Sequence, residues 1–220
     1  MILFKFIKNF IKMILIYMPG EMGFSLRRNF YKKKLKSLGK NFIIETGVTL
    51  DGCEFIEIGD NVRIDRDCII QTQVTDINSN NYSLENSKFN GERGMIYIEA
   101  EVRINARSSI YGYGGVRLGK LSVLSESSKI FSSTHIPNDL NIPSKKTHVK
   151  HSNNYIDSPS LDAPIVIEEN SFIGVNCQFF PGSSIGKDSF VSPNSVVKNS
   201  FDDNCFIEGN PASKIKNRFN

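Results

Sequence analysis

Aliphatic residues recur at every sixth position through most of this 220-residue chain. They fall at Ile58, Ile64 and Ile70; at Ile98, Ile104 and Ile110; at Leu118, Leu124 and Ile130; and at Ile167, Ile173, Phe179, Ile185, Val191 and Val197. Four positions after each but Val197 stands a small or compact residue: Val62, Cys68, Val74, Val102, Ser108, Gly114, Ser122, Ser128, Thr134, Ser171, Cys177, Ser183, Ser189 and Ser195. A spacing of six fits neither the 3.6 period of a helix nor plain strand alternation. It fits a solenoid in which each hexad is one short flat face and three faces complete a coil. Such coils stack as parallel strands about 4.8 Å apart. The pattern predicts an all-β chain, a parallel β-helix with its aliphatic residues inward and its compact residues at the turns.

Counted in threes from Ile44 and Leu50, the breaks in the period all fall at one corner of the coil. Leu50 to Ile58 and Ile110 to Leu118 carry two extra residues each, while Ile70 to Ile98 and Ile130 to Ile167 carry long insertions. Loops are therefore expected to leave the prism along a single edge, at about residues 76–95 and 136–164. Sites are commonly built from loops on a rigid scaffold, so that edge is where chemistry is expected.

Residues 1–40 do not follow the hexad and are predicted to be a helical appendage to a solenoid of residues 41–220. In residues 1–18, Lys5, Lys8, Asn9 and Lys12 fall on one wedge of a helix and nearly everything else is apolar, until Pro19-Gly20 ends the run. The charge distribution fits neither a signal peptide nor a spanning helix. Two placements remain: a helix lying on a membrane surface with its lysines toward headgroups, or one docked on the solenoid end or on another subunit. Arg27, Arg28, Lys32, Lys33, Lys34, Lys36 and Lys40 follow as a basic stretch that would add attraction to anionic lipid, with Gly39 ending this second helix. The net charge of +4 is concentrated here, and the near-neutral remainder argues against a nucleic-acid binder. The expected location is cytoplasmic, peripheral on the inner membrane face if the first placement holds.

Cys53, Cys68, Cys177 and Cys205 show no C-x-x-C pairing and read as buried thiols in a reducing compartment. Of three histidines, His135 ends the hexad that starts at Ile130, at the loop-bearing corner. A neutral imidazole there could take a proton from a substrate hydroxyl, though by position alone a surface histidine explains it equally well. His148 and His151 lie among lysines in the second insertion. A three-histidine metal site, of the kind the gamma-class carbonic anhydrases build on similar solenoids, would have its cation repelled there, so no metal is expected.

The run Ile173-Gly174-Val175-Asn176 through Phe180-Pro181-Gly182-Ser183-Ser184-Ile185-Gly186-Lys187-Asp188-Ser189-Phe190-Val191, with the closing Gly209-Asn210-Pro211-Ala212, resembles the hexapeptide-repeat acyltransferases. The stretch from Ile104 to His135 is similar to the maltose, galactoside and xenobiotic O-acetyltransferases within that superfamily. The resemblance covers the chain from about residue 40 onward and implies a left-handed β-helix, an exception to the usual crossover hand, packed as a homotrimer. It implies acetyl-CoA as acyl donor, His135 as catalytic base, and Asn105 facing the acyl and acceptor groups across a subunit boundary. Asp139 is a candidate to orient the imidazole. Val175, Ser183 and Pro193 are candidates for the pantetheine arm, and Lys198, Lys214 and Lys216 for the phosphates.

Three departures from the pattern matter. Phe172 stands where the family usually has Trp, Ser213-Lys214 displaces a basic residue by one position, and Tyr113 replaces an acceptor-binding acid. A free sugar of the galactoside or maltose kind is therefore not the expected acceptor. The expected reaction is transfer of an acetyl group to a hydroxyl of a sugar or lipid-linked glycan precursor, as in capsule, O-antigen or exopolysaccharide assembly. Two alternatives stay open: N-acetylation of a nucleotide-linked amino sugar, and a non-catalytic β-solenoid subunit.

Overall fold

The computed structural model describes residues 2–73, 81–136 and 160–220. Their hexads form a triangular prism of stacked parallel strands. The first face runs from Ser37–Leu38 to Ser200–Phe201 in seven strands. The second runs from Ile43–Ile44 to Cys205–Gly209, and the third from Thr49–Asp51 to Val196–Val197. Register follows the six-residue beat without slippage: Ile44, Ile64, Ile104, Leu124, Ile173, Val191 and Ile207 stack on the second face. Leu50, Ile70, Ile110, Ile130, Phe179 and Val197 stack on the third. All of these are buried, and together with the first-face column they make one continuous core.

The compact residues are buried because the turn leaves no room for more. Their polar atoms are satisfied by the next coil: Ser108 Oγ donates to Ser125 O (3.0 Å), Ser128 Oγ to Gly174 O (2.9 Å), Ser171 Oγ to Gly186 O (2.8 Å) and Cys177 Sγ to Ser192 O (3.1 Å). A buried hydroxyl with a partner carries no desolvation penalty, which is why serine serves as well as cysteine or valine. Thr134 departs from this rule. It sits half-buried in a strand that leaves the prism. One residue before the compact position the backbone turns left-handed. Among the described residues, twelve non-glycine positions have positive φ, six of them Asn and two Asp, types that tolerate this region. Some of these side chains ladder between coils, as in Asn41 Nδ2 to Asn61 Oδ1 and Asn176 Nδ2 to Asn194 Oδ1, both 2.9 Å.

Two helices precede the prism, α1 (Ile2–Tyr17) and α2 (Gly20–Lys32). The second helix ends at Lys32 rather than at Gly39, and Ser37–Leu38 already pairs with Glu57 and Ile58. Gly39 instead permits a close approach: a Cβ there would lie 2.3 Å from the carbonyl carbon of Gly59. Helix α2 closes the open end of the prism. Tyr31 and Leu35 join the core, and Arg27 is fully buried. Arg27 was expected in a basic stretch attracted to anionic lipid; instead its Nε donates to Ile44 O (2.8 Å) and its Nη1 to Met18 O (2.7 Å) and Leu15 O (3.1 Å). It rivets the end of α1 to the first coil. Phe6, Phe10, Ile11, Met13, Ile14 and Tyr17 of α1 are exposed. No described helix is long and apolar enough to cross a membrane. At the other end, Ala212–Asn217 folds back antiparallel on Cys205–Gly209 and closes the second face, an element the hexad pattern does not announce.

Candidate active site

Both insertions leave the prism along the edge between the third and first faces, and they pair with each other. Ser133–His135 runs antiparallel to Ser160–Asp162, which runs parallel to Asn81–Ser83. His135 pairs with Ser160 and is exposed. It lines a cavity of about 230 Å³ together with Tyr111, Tyr113, Phe131, Ser133 and Thr134.

The prism itself supplies the aromatic wall. Tyr111, Phe131, Phe180 and Lys198 each follow an inward residue of the third face on successive coils. Tyr111 and Phe131 stack with ring centroids 5.4 Å apart and 3° between planes; Phe180 lies 6.0 Å from Phe131, and Lys198 Nζ lies 5.6 Å from the Phe180 centroid. Tyr113 shares a hydrogen bond with the Gln71 side chain. Burial pushes its phenol pKa up, with the Asp51 charge adding to the effect. The phenol therefore stays protonated near neutral pH and can donate or accept a hydrogen bond.

Asn105 lies on a different edge, between the second and third faces. Its backbone is fixed by N–H donation to Leu124 O (2.8 Å) and by acceptance from the Cys68 thiol (3.1 Å). Its side-chain Oδ1 is buried and has no hydrogen-bond partner among the described residues. Within one chain the third face separates Asn105 from His135, so the fold does not bring the two expected reacting groups together in a monomer.

Val175 and Pro193 are exposed on the Asn105 edge, one coil above the other, with Asn194 N–H donating to Val175 O (2.9 Å). Ser183 is fully buried, its Oγ donates to Phe180 O (2.7 Å), and its carbonyl accepts from Val166 N–H. Lys198 is exposed on the His135 edge. Lys214 and Lys216 lie on the closing strand of the second face, where Lys216 Nζ sits 5.2 Å from the Phe206 centroid. Phe172, in the family's Trp position, heads a stack with Phe190 and Phe206 at 5.5 and 5.1 Å. Asp139, His148 and His151 lie outside the described residues. All four cysteines are free and buried.

Residues 164–199, in the most regular part of the prism, match the profile described as the hexapeptide repeat of succinyl-transferase. That match spans 36 of the chain's 220 residues. The architecture is the left-handed β-helix. The chain is 29% identical over 132 residues to a putative lipopolysaccharide biosynthesis O-acetyl transferase, WbbJ, of Escherichia coli K12. That match covers 56% of this chain and 61% of the relative, less than two thirds of its length. It is 25% identical over 206 residues to a dTDP-4-amino-4,6-dideoxy-D-glucose acyltransferase of Escherichia coli, covering 90% of this chain and 84% of that one. Among solved structures, the N-acyltransferase AntD from Bacillus cereus, in complex with dTDP and 3-hydroxybutyryl-CoA, superposes with a TM-score of 0.68. The two are 23% identical, over 87% of this chain and 88% of AntD.

Sequence reasoning missed the aromatic wall and a buried ion pair between Arg93 and Asp162. The wall had a signal, an aromatic one position after the inward residue on three consecutive coils of one face. The ion pair joins the two insertions, and no spacing in the sequence relates them.

Proposed function

We propose that this chain transfers an acyl group from an acyl-CoA thioester to a sugar, and that the specific reaction is O-acetylation of a saccharide hydroxyl from acetyl-CoA. The observation that carries the reading is an exposed imidazole in an aromatic-walled cavity, on a strand extruded from a hexapeptide-repeat prism. In this mechanism His135 removes the acceptor hydroxyl proton as the oxygen attacks the thioester carbonyl carbon. The carbon–sulfur bond then breaks, and the coenzyme thiolate leaves with the proton returned by the imidazolium. Asn105 hydrogen-bonds the acceptor through its Oδ1, which has no partner among the described residues, or the developing oxyanion through its Nδ2. Asp139 orients the imidazole.

Because His135 and Asn105 occupy different edges, the reading requires a second copy. One chain's Asn105 edge, with Val175 and Pro193, faces the His135 edge of its neighbour, with Lys198, in a trimer of parallel prisms. The thioester arm lies in that shared groove, and Lys198, Lys214 and Lys216 meet its phosphates. The exposed apolar residues of α1, with the basic residues around them, suit an anionic membrane surface and hence a lipid-linked acceptor.

A second reading has its own support. The relative that covers most of this chain, and the AntD structure, are by name acyltransferases of a dTDP-amino sugar and an N-acyltransferase. On that reading the acceptor is an amine on a nucleotide-linked sugar, and the same imidazole and groove serve it.

One assay separates these readings from each other and from a non-catalytic solenoid. Coenzyme release from acetyl-CoA is followed with neutral saccharides and with nucleotide-linked amino sugars, in wild type and His135→Ala. Release with the neutral sugars that falls by about 10²–10⁴-fold in the variant supports O-acetylation. Release only with the amino sugars transfers the assignment to the second reading, and no release with either class ends both. Co-sedimentation with anionic vesicles, lost on removing residues 1–18, is expected of the membrane placement; sedimentation unchanged by the truncation contradicts it.

A further inference from the structure

The His135 cavity has a larger neighbour. Across the ribbon built by the two insertions lies a cavity of about 410 Å³, inside the range of small-molecule sites, roughly 300–1,000 Å³. The ribbon order puts Ser133–His135 at one margin, Ser160–Asp162 in the middle and Asn81–Ser83 at the other. Neighbouring strands lie about 4.8 Å apart, so the two margins are about 10 Å from each other. Ser83 lines the larger cavity, and Gly114, which follows Tyr113 of the His135 cavity, lines it too. The two spaces therefore share a wall.

The lining has a definite chemistry. Phe89 lends apolar surface, Glu85 a carboxylate and Arg93 a guanidinium, while the Asn86 amide is already engaged by Pro164 O and by Lys88 N–H. Arg93 is held by Asp162, whose side chain is 3% exposed and whose Oδ1 has no hydrogen-bond partner among the described residues. The insertion is tied to the prism in advance: Asn86 Nδ2 donates to Pro164 O (3.2 Å), Lys88 Nζ to Phe201 O (3.3 Å), and Phe89 packs 5.9 Å from the Tyr97 ring. Charge decides what such a cavity takes. Asp162 offsets Arg93 and Glu85 adds an anion, so the lining does not attract a phosphate or a nucleotide diphosphate. A neutral polyhydroxylated ring suits it, with one apolar face against Phe89 and hydroxyls toward the Glu85 carboxylate and the Arg93 guanidinium.

We propose that this cavity is a second saccharide site, which receives the sugar residue next to the one that is acylated. The acceptor is then at least a disaccharide. The inference rests on the reading that the His135 cavity acylates a sugar, and its test separates the two claims. Methyl glycosides of glucose and N-acetylglucosamine are compared with methyl glycosides of cellobiose and chitobiose as acceptors, following coenzyme release. The disaccharides are expected to show kcat/KM higher by roughly tenfold or more, the gain of a hydrogen-bonded subsite. Leu84 lines the cavity and is 51% exposed, so Leu84→Trp fills the space without touching the core. It should erase the disaccharide advantage and leave the KM for acetyl-CoA unchanged; Glu85→Ala should reduce the advantage without adding bulk. Equal kcat/KM for the two classes in wild type, or a loss in the variants shared equally by both, overturns the second site alone. Absence of turnover with every member of both classes overturns the reading of a neutral-sugar acceptor and this one with it.

Discussion

Arg27 offers the sharpest physical test of how the helices and prism are joined. Its guanidinium is fully buried and meets three backbone carbonyls at 3.1 Å or less, two at the end of α1 and one on the first coil. Hydrogen bonds from a charged donor contribute about 1.5–3 kcal/mol each. Against that sum stand several kcal/mol recovered when a guanidinium no longer has to be buried. For Arg27→Met the balance is a loss of about 2–4 kcal/mol. At about 2–4 °C per kcal/mol for a chain of this size, the melting temperature should fall by about 5–15 °C. Coils of a solenoid contact only their neighbours, so the damage should concentrate at the amino-terminal end. Circular dichroism melting gives the first number. Limited trypsin digestion gives the second, as faster cleavage at Lys32–Lys34 with the later coils still resistant. An unchanged melting temperature together with an unchanged cleavage rate would refute the idea that Arg27 holds this end closed.

Two further outcomes follow from the core. The Cys68 thiol, pushed by burial from 9.0 up to about 12, should resist a thiol reagent at pH 8 until the chain is unfolded, as read by absorbance of the released chromophore. Because the folded-state value is the higher one, the stabilisation linked to this group is complete below about pH 9 and is lost as pH rises toward about 12. Denaturant midpoints across that window should decline, and a flat profile would contradict the burial argument. Ile104, fully buried between Ile64 and Leu124, should cost about 2–5 kcal/mol when truncated to Ala, measured by urea unfolding.

Much of the prism was legible because a solenoid makes sequence separation and spatial neighbourhood the same thing. Ile64, Ile104 and Leu124 stack because each is the same step in its coil, so the period alone assigns face, inward position and turn. The single loop-bearing edge came from the same arithmetic. The asparagines at the left-handed corners, such as Asn176 and Asn194, carried a readable signal too, since few side chains accept that backbone.

What the period could not reach, the tertiary structure decided. Arg27 read as one more residue of a basic surface stretch, yet α2 turns it under the first coil, where its guanidinium meets backbone carbonyls and lies 5.7 Å from the Phe24 ring. Ser183 is sealed by its own turn. The pairing of Ser133–His135 with Ser160–Asp162, the cavities on either side of that ribbon, and the Arg93–Asp162 pair arise between insertions of unrelated length. Repetition dictates contacts only where the repeat runs unbroken; where it is interrupted, side-chain charge, loop closure and the fit of one insertion against the other take over.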